Sequence, residues 1–262
     1  MEDQHENENN EQDQKINVFE TIIQQELGSI GVALGPFFSQ QLRETQTIEI
    51  SGNNTLKYRF TDEDFSILIS ALVKSEINIQ CLSFRHHRLT SKSIETLATL
   101  WSVVPLYQID LEGNEIDGKN CQILSNYLQS SNCTCQSLNI SCNPIGSVGG
   151  TSIAEALKVN NSIQRLLMNN CEYDLNTLIA LITCIAGNKH SNIIHLDISR
   201  PILKNYKNEE ICDHVTTRLL SSQHTRLQTL EMKYCNIGDE GAILIAQVLM
   251  FNTELKSLNL EW

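Results

Sequence analysis

Cysteine and histidine are the residue types whose spacing could do chemistry in this chain. Cys133-Thr134-Cys135 followed by Cys142 offers three thiols within ten residues, the start of a soft-metal site. The spacing is not that of a paired zinc knuckle, and no second pair follows. The cysteines number nine, which is odd. The stretch from Met1 to Lys15 is acidic and polar, without the apolar run of a secretory leader. A reducing compartment is expected, with free thiols packed as small hydrophobes. His86-His87 is the other tempting pair for a metal or for acid–base work. Phosphate-cradling G-x-x-x-x-G-K, the nucleophile elbow G-x-S-x-G and the metalloprotease H-E-x-x-H are all absent. The expectation is a protein that is not an enzyme, with no catalytic residue, no cofactor and no metal.

Charge narrows the partners. Thirty-one acids against nineteen bases leave a net charge of −12 over 262 residues. Such a chain repels phosphate backbones and anionic lipid, so neither nucleic acid nor membrane is an expected partner. No apolar run approaches the roughly 18 residues of a membrane-spanning helix. Other proteins remain, and a basic partner surface is what the acidity would complement.

The elements that would carry these side chains follow from a repeat. The template apolar-x-x-apolar-x-apolar-x-x-polar-x-apolar starts at Ile79, Leu106, Cys135, Ile163, Ile193, Leu227 and Leu255, at intervals of 27 to 34 residues. A divergent earlier copy holds Ile48, Ile50 and Asn53. The apolar-x-apolar centre predicts a short strand, and the polar position predicts a side chain that satisfies the following turn. His87, Asn114, Asn143, Cys171 and Cys235 occupy that position, and Pro201 replaces it in the fifth copy. Between strands the period becomes helical: Ile94, Leu97, Ala98 and Trp101; Ile153, Ala154 and Leu157; Leu178, Leu181, Ile182 and Ile185; Ala242, Ile243, Ala246 and Leu249. Units of this kind stack and bury their faces only against neighbours.

This pattern resembles the leucine-rich repeat family, over about residue 45 to the end. The spacing near 28 and the loops Asn114-Glu-Ile-Asp-Gly118, Asn143-Pro-Ile-Gly146 and Cys235-Asn-Ile-Gly238 resemble its ribonuclease-inhibitor-like subclass. The resemblance implies an α/β leucine-rich repeat solenoid of about 7–8 repeats, a curved horseshoe with a parallel β-sheet on its concave face and helices on its convex face. Arg200-Pro-Ile-Leu203, the polar loop running to Glu209-Glu210, the His214 helix and the stretch Ile50 to Asp64 also resemble a ciliary member of that superfamily. That likeness implies a non-enzymatic interaction scaffold in motile cilia or axonemes, with nucleolar roles also proposed.

The domain reading is residues 1–15 as a disordered acidic tail, 16–44 as a helical N-terminal cap, and 45–262 as the repeat domain. The last repeat is read as cut short after its strand, as in a fragment or short isoform of a longer array, the alternative being that another surface covers that edge. Gly28, Gly31, Gly35 and Pro36 are expected to break the second part of the cap. A solenoid usually binds through its concave face. Three columns of outward positions run across that face: Ser83, Asp110, Asn139, Leu167, Asp197, Glu231 and Asn259; then Arg85, Glu112, Ser141, Asn169, Ser199, Lys233 and Glu261; then His86, Gly113, Cys142, Asn170, Arg200, Tyr234 and Trp262. The expected contact residues are Arg85, Asp110, Glu112, Asp197, Arg200, Glu231, Lys233, Tyr234, Glu261 and Trp262, with the aromatic end at Tyr234 and Trp262 foremost.

Three functions fit. The first is a protein-interaction scaffold, cytoplasmic and in a larger assembly such as the axoneme. The second is a soluble inhibitor or regulator of a basic enzyme, as the ribonuclease inhibitors are. The third is a GTPase activator, which would need a catalytic arginine such as Arg85 or Arg200.

Overall fold

The computed structural model describes residues 2–52, 59–202, 209–222 and 224–261. Eight strands make one parallel sheet in sequence order: β1 (Thr47–Ser51), β2 (Cys81–Arg85), β3 (Gln108–Asp110), β4 (Ser137–Asn139), β5 (Arg165–Leu167), β6 (His195–Asp197), β7 (Thr229–Glu231) and β8 (Ser257–Asn259). Each sits on the apolar centre of a repeat copy. A second layer holds the helices α3 (Asp62–Lys74), α4 (Ser91–Trp101), α5 (Cys121–Gln129), α6 (Gly146–Leu157), α7 (Leu175–Gly187), α8 (Glu209–His214) and α9 (Asp239–Leu249). Strands repeat every ~4.8 Å and packed helices every ~8–10 Å, so the sheet lies on the inner side of the bend. Repeat stacking of strand and helix in this order is a leucine-rich repeat solenoid.

The register repeats without slip. Leu82, Ile109, Leu138, Leu166, Leu196, Leu230 and Leu258 stand opposite one another across seven strands. All but Leu258 are buried to within 1%. Phe60, Phe65 and Phe84 fill the wider first repeat, with Phe84 ring centroids 5.3 and 5.2 Å from the other two in edge contacts. Thr61 caps α3 in a capping box: the Asp64 amide donates to its hydroxyl while Asp64 accepts from the Thr61 amide at 2.8 Å.

The amino-terminal end differs from its sequence expectation. Residues 2–15, read from composition as disordered, form the first half of α1 (Glu2–Glu26), and α2 (Gly28–Thr45) folds back on it. Glu, Gln and Lys are good helix formers. Lys15 Nζ meets Glu11 at 2.8 Å, and Arg43 Nε meets Asp13 at 3.0 Å while its Nη2 donates to Asn17 at 2.9 Å. Of the expected breakers only Gly28 breaks the helix, at φ +56°. Gly31 and Pro36 lie inside α2. A side chain on Gly31 would overlap the Ile23 carbonyl of α1, so this glycine lets the two helices touch.

The fifth unit also departs from its neighbours. The helix expected around His214, Val215 and Leu219 starts as α8 and widens into a π turn, Val215–Leu220, closed by the Ser221 amide on the Thr216 carbonyl at 3.1 Å. Leu203 and most of the polar loop after it lie outside the described residues, as do Asn53 to Leu56.

Candidate partner-binding surface

The turn after each strand is built by the repeat's polar position. Asn114 Nδ2 donates to the carbonyls of Phe84 (2.7 Å) and Leu111 (2.9 Å), while its Oδ1 accepts from the Leu89 amide at 3.2 Å. Asn143 repeats the arrangement on Leu111, Ile140 and the Ile116 amide. His87 uses Nδ1 to accept from the Phe60 amide at 3.1 Å. Burial pushes its pKa down to about 4, the Ile50 carbonyl working the other way, so the ring stays neutral. Cys171 points its thiol at the Ile140 carbonyl, 3.2 Å away, and burial pushes its pKa up to about 12. Cys235 faces the Ile198 carbonyl at 3.8 Å with the same shift from the same cause.

The three clustered thiols do not converge. Cys135 is fully buried; Cys133 precedes β4, and Cys142 follows it at the opposite end of the strand. Among the described residues no three His, Cys, Asp or Glu side chains are placed to hold a metal ion.

Pairing in register lines up the first column, but the expectation that it faces solvent needs correction. Asp110 and Asp197 are each only 8% exposed. Each turns Oδ1 back onto the amide two residues on, Glu112 at 3.1 Å and Ser199 at 3.0 Å. Asn139 does the same for Ser141 and Asn259 for Glu261. Asp110, Asn139, Asp197 and Asn259 of this column therefore close their strand exits, whereas Glu231 does not. Burial pushes the Asp110 carboxyl up, against the Glu112 amide, the Arg85 guanidinium 3.5 Å away and Asn139.

In the second column Arg85 and Glu261 are exposed, and half-buried Glu112 accepts from Asn139 at 3.1 Å. Ser141 and Ser199 are buried and accept from the Asn169 and Lys233 amides of the next repeats. The third column is a row of left-handed residues: His86, Gly113, Cys142, Asn170, Arg200 and Tyr234, with φ from 53° to 68°. Each donates its amide to the next repeat, from His86 to Glu112 (2.8 Å) through Tyr234 to Glu261 (2.7 Å). A non-glycine residue in this conformation costs roughly 1–2 kcal/mol. At Gly113 a Cβ would overlap the His86 ring as it stands, and φ is +68°, so glycine suits this position best.

Side chains gather on the open face at repeats five to seven. Glu231 is held between Lys233 Nζ at 2.7 Å and His195 Nε2 at 3.2 Å. The Lys233 hydrogen bond leads in holding its carboxyl below the usual range, with His195 adding to it. Beside them the Arg200 guanidinium lies 4.2 Å over the ring of Tyr234, which is 40% exposed. Exposed Glu261 completes the group; Trp262 lies outside the described residues. His195 was missed from sequence. Alternation along the strand marks it, since it precedes Leu196 and so shares the face of Asp197. The cluster presents a held carboxylate, a stacked cation and an aromatic plane side by side.

Fold and ladder together define a chain of leucine-rich repeats, and comparison with known proteins agrees. The Leucine Rich repeat family model matches residues 131–154 and 223–246, covering β4 with most of α6, and β7 with most of α9. The chain is 24% identical over 210 residues to mouse "NACHT, LRR and PYD domains-containing protein 5", and 25% identical over 195 residues to the human protein of that name. These alignments cover 80% and 73% of the chain but only 15% and 16% of the relatives' own length. Among the described residues no helix is long and apolar enough to cross a membrane.

Proposed function

We propose that this chain is a non-enzymatic protein–protein interaction scaffold that grips its partner with the concave face at repeats five to seven. Leucine-rich repeat domains bind other proteins as a class, and the two relatives carry LRR in their names. The observation that carries the reading is the Arg200–Tyr234 stack beside Glu231 and Lys233. It is an exposed aromatic held rigid next to a fixed pair of opposite charges, the composition that dominates interface energies.

The assembly we assign is the axoneme of motile cilia. That proposal rests on the likeness, read from sequence, of Arg200-Pro-Ile-Leu203 and the stretch Ile50 to Asp64 to a ciliary leucine-rich repeat protein, and neither the fold nor the comparisons with known proteins support it. A tagged copy expressed in motile ciliated cells tests it. Retention on detergent-extracted axonemes through moderate salt is the expected result. Complete release into the soluble fraction overturns it and makes the regulator of a basic enzyme the better reading.

A further inference from the structure

A second surface lies on the opposite rim of the solenoid, where the helices end and the strands begin. The loops entering β6, β7 and β8 border an open groove of about 1170 Å³. Its charge runs against that of the chain. In a protein of net charge −12, counted with neutral histidines, the charged lining of the groove is Lys189 and Arg226 against Glu254 as the one acid among the described lining residues, with the imidazoles of His190 and His224 beside them. Lys256 stands at its edge, 3.0 Å from the lining Gln228.

Neither Lys189 nor Arg226 has an acidic partner among the described residues. The helix-end carbonyls, where basic residues often settle, are already met by asparagines. Asn188 Nδ2 donates to Leu157 O at 2.9 Å and Asn252 Nδ2 to Leu220 O at 2.8 Å. Among the described residues the Arg226 guanidinium hydrogen-bonds the Asn192 amide oxygen alone, 3.2 Å from Nη1, which leaves most of its donors available there. The wall at Leu220 and Ser221 is the end of the π turn, an irregularity that α6, α7 and α9 do not share and that often marks working sites.

From the groove and its unspent charge we infer a second binding site, for an extended acidic peptide segment of a partner protein. Carboxylates would pair with Lys189 and Arg226, and the peptide backbone would bond to Asn192, Gln228 and Thr253 along the rim. The site is independent of the concave face. The net negative charge of the chain disfavours acidic segments in general, which makes a groove with basic lining the favoured place for one to dock.

Fluorescence anisotropy with a labelled glutamate-rich peptide tests this on the full chain. A lysine-rich peptide and a single-stranded RNA of matched charge serve as competitors. The glutamate-rich peptide is expected to bind, to weaken with salt, and to lose at least about tenfold in affinity in Lys189→Glu/Arg226→Glu. Lys74→Glu/Lys92→Glu changes the net charge equally at exposed sites outside the groove and should leave binding within about twofold. Thermal melts check that both variants fold, and Lys189→Gln/Arg226→Gln replaces the reversal if it does not. The site is overturned by absent binding, by equal weakening in the two variants, or by RNA binding tighter than the peptide. None of these outcomes touches the concave-face reading, which is read with Tyr234 variants.

Discussion

Asn143 does at one residue what a whole turn requires. Its amide meets two carbonyls from its own repeat and one from the preceding repeat, and its oxygen takes the Ile116 amide. Removing it leaves several buried backbone groups unpaired. Asn143→Ala should cost about 3 kcal/mol or more in urea unfolding. Asn143→Cys should cost clearly less, because Cys171 and Cys235 already sit at that position facing the same class of carbonyl. His87 adds a pH dependence. Its folded pKa lies near 4, below the 6.5 of a free imidazole. The unfolded chain therefore takes the proton first, and stability present above pH 6.5 is lost as the pH falls toward 4. Thermal melts across that window should show a smaller fall for His87→Asn than for the native chain. These turn residues were legible in the sequence because they recur at a fixed offset from an apolar triplet. The hydrogen-bonding task of Asp110 and Asp197 was not. The first column reads as a row of outward polar positions, and only strand exits drawn together show each carboxylate bent onto an amide two residues on. The helix-exit asparagines Asn160, Asn188 and Asn252 were missed as well. Their signal, Asn160-Asn-Ser-Ile163 beside Asn252-Thr-Glu-Leu255, sits just before the motif that drew attention.

At the scale of elements, strands were the most legible part. A triplet with period two inside a period near 28 leaves one register that buries Leu82 through Leu230 together. The helices followed from their apolar stripes, except where a local rule was outweighed. Composition argued against order in residues 2–15, yet a partner helix and the Arg43 contacts to Asp13 and Asn17 accompany a continuous α1. Glycines argued against α2, but Gly31 serves the crossing of the two helices. Gly31→Val should push α2 off α1 and cost about 1–3 kcal/mol, read as a lower thermal midpoint. Thr61→Ala, which removes half of the α3 capping box, should cost about 1 kcal/mol in the same measurement.

As a whole molecule, the chain is an array in which a row of turn amides, from His86 to Tyr234, bonds across to the next repeat. The same repetition that makes the fold readable makes the binding face hard to read. Columns of outward residues can be tabulated from sequence, but which of them are spent on the neighbours, as Asp110 and Ser199 are, and which remain free, as Tyr234 and Arg200 do, depends on packing across repeats. The basic rim groove was invisible for the same reason, since Lys189 and Arg226 belong to different repeats and meet only when these stack.

The central claim is that the face around Tyr234 holds the partner. Its most direct test compares axoneme retention, or crosslinked capture of a named neighbour, between the native chain and Tyr234→Ala/Lys233→Glu, with unchanged thermal melts as the control for folding. The account predicts loss of most of the retained protein in the variant. Equal retention by a folded variant would contradict it and move the contact to another face.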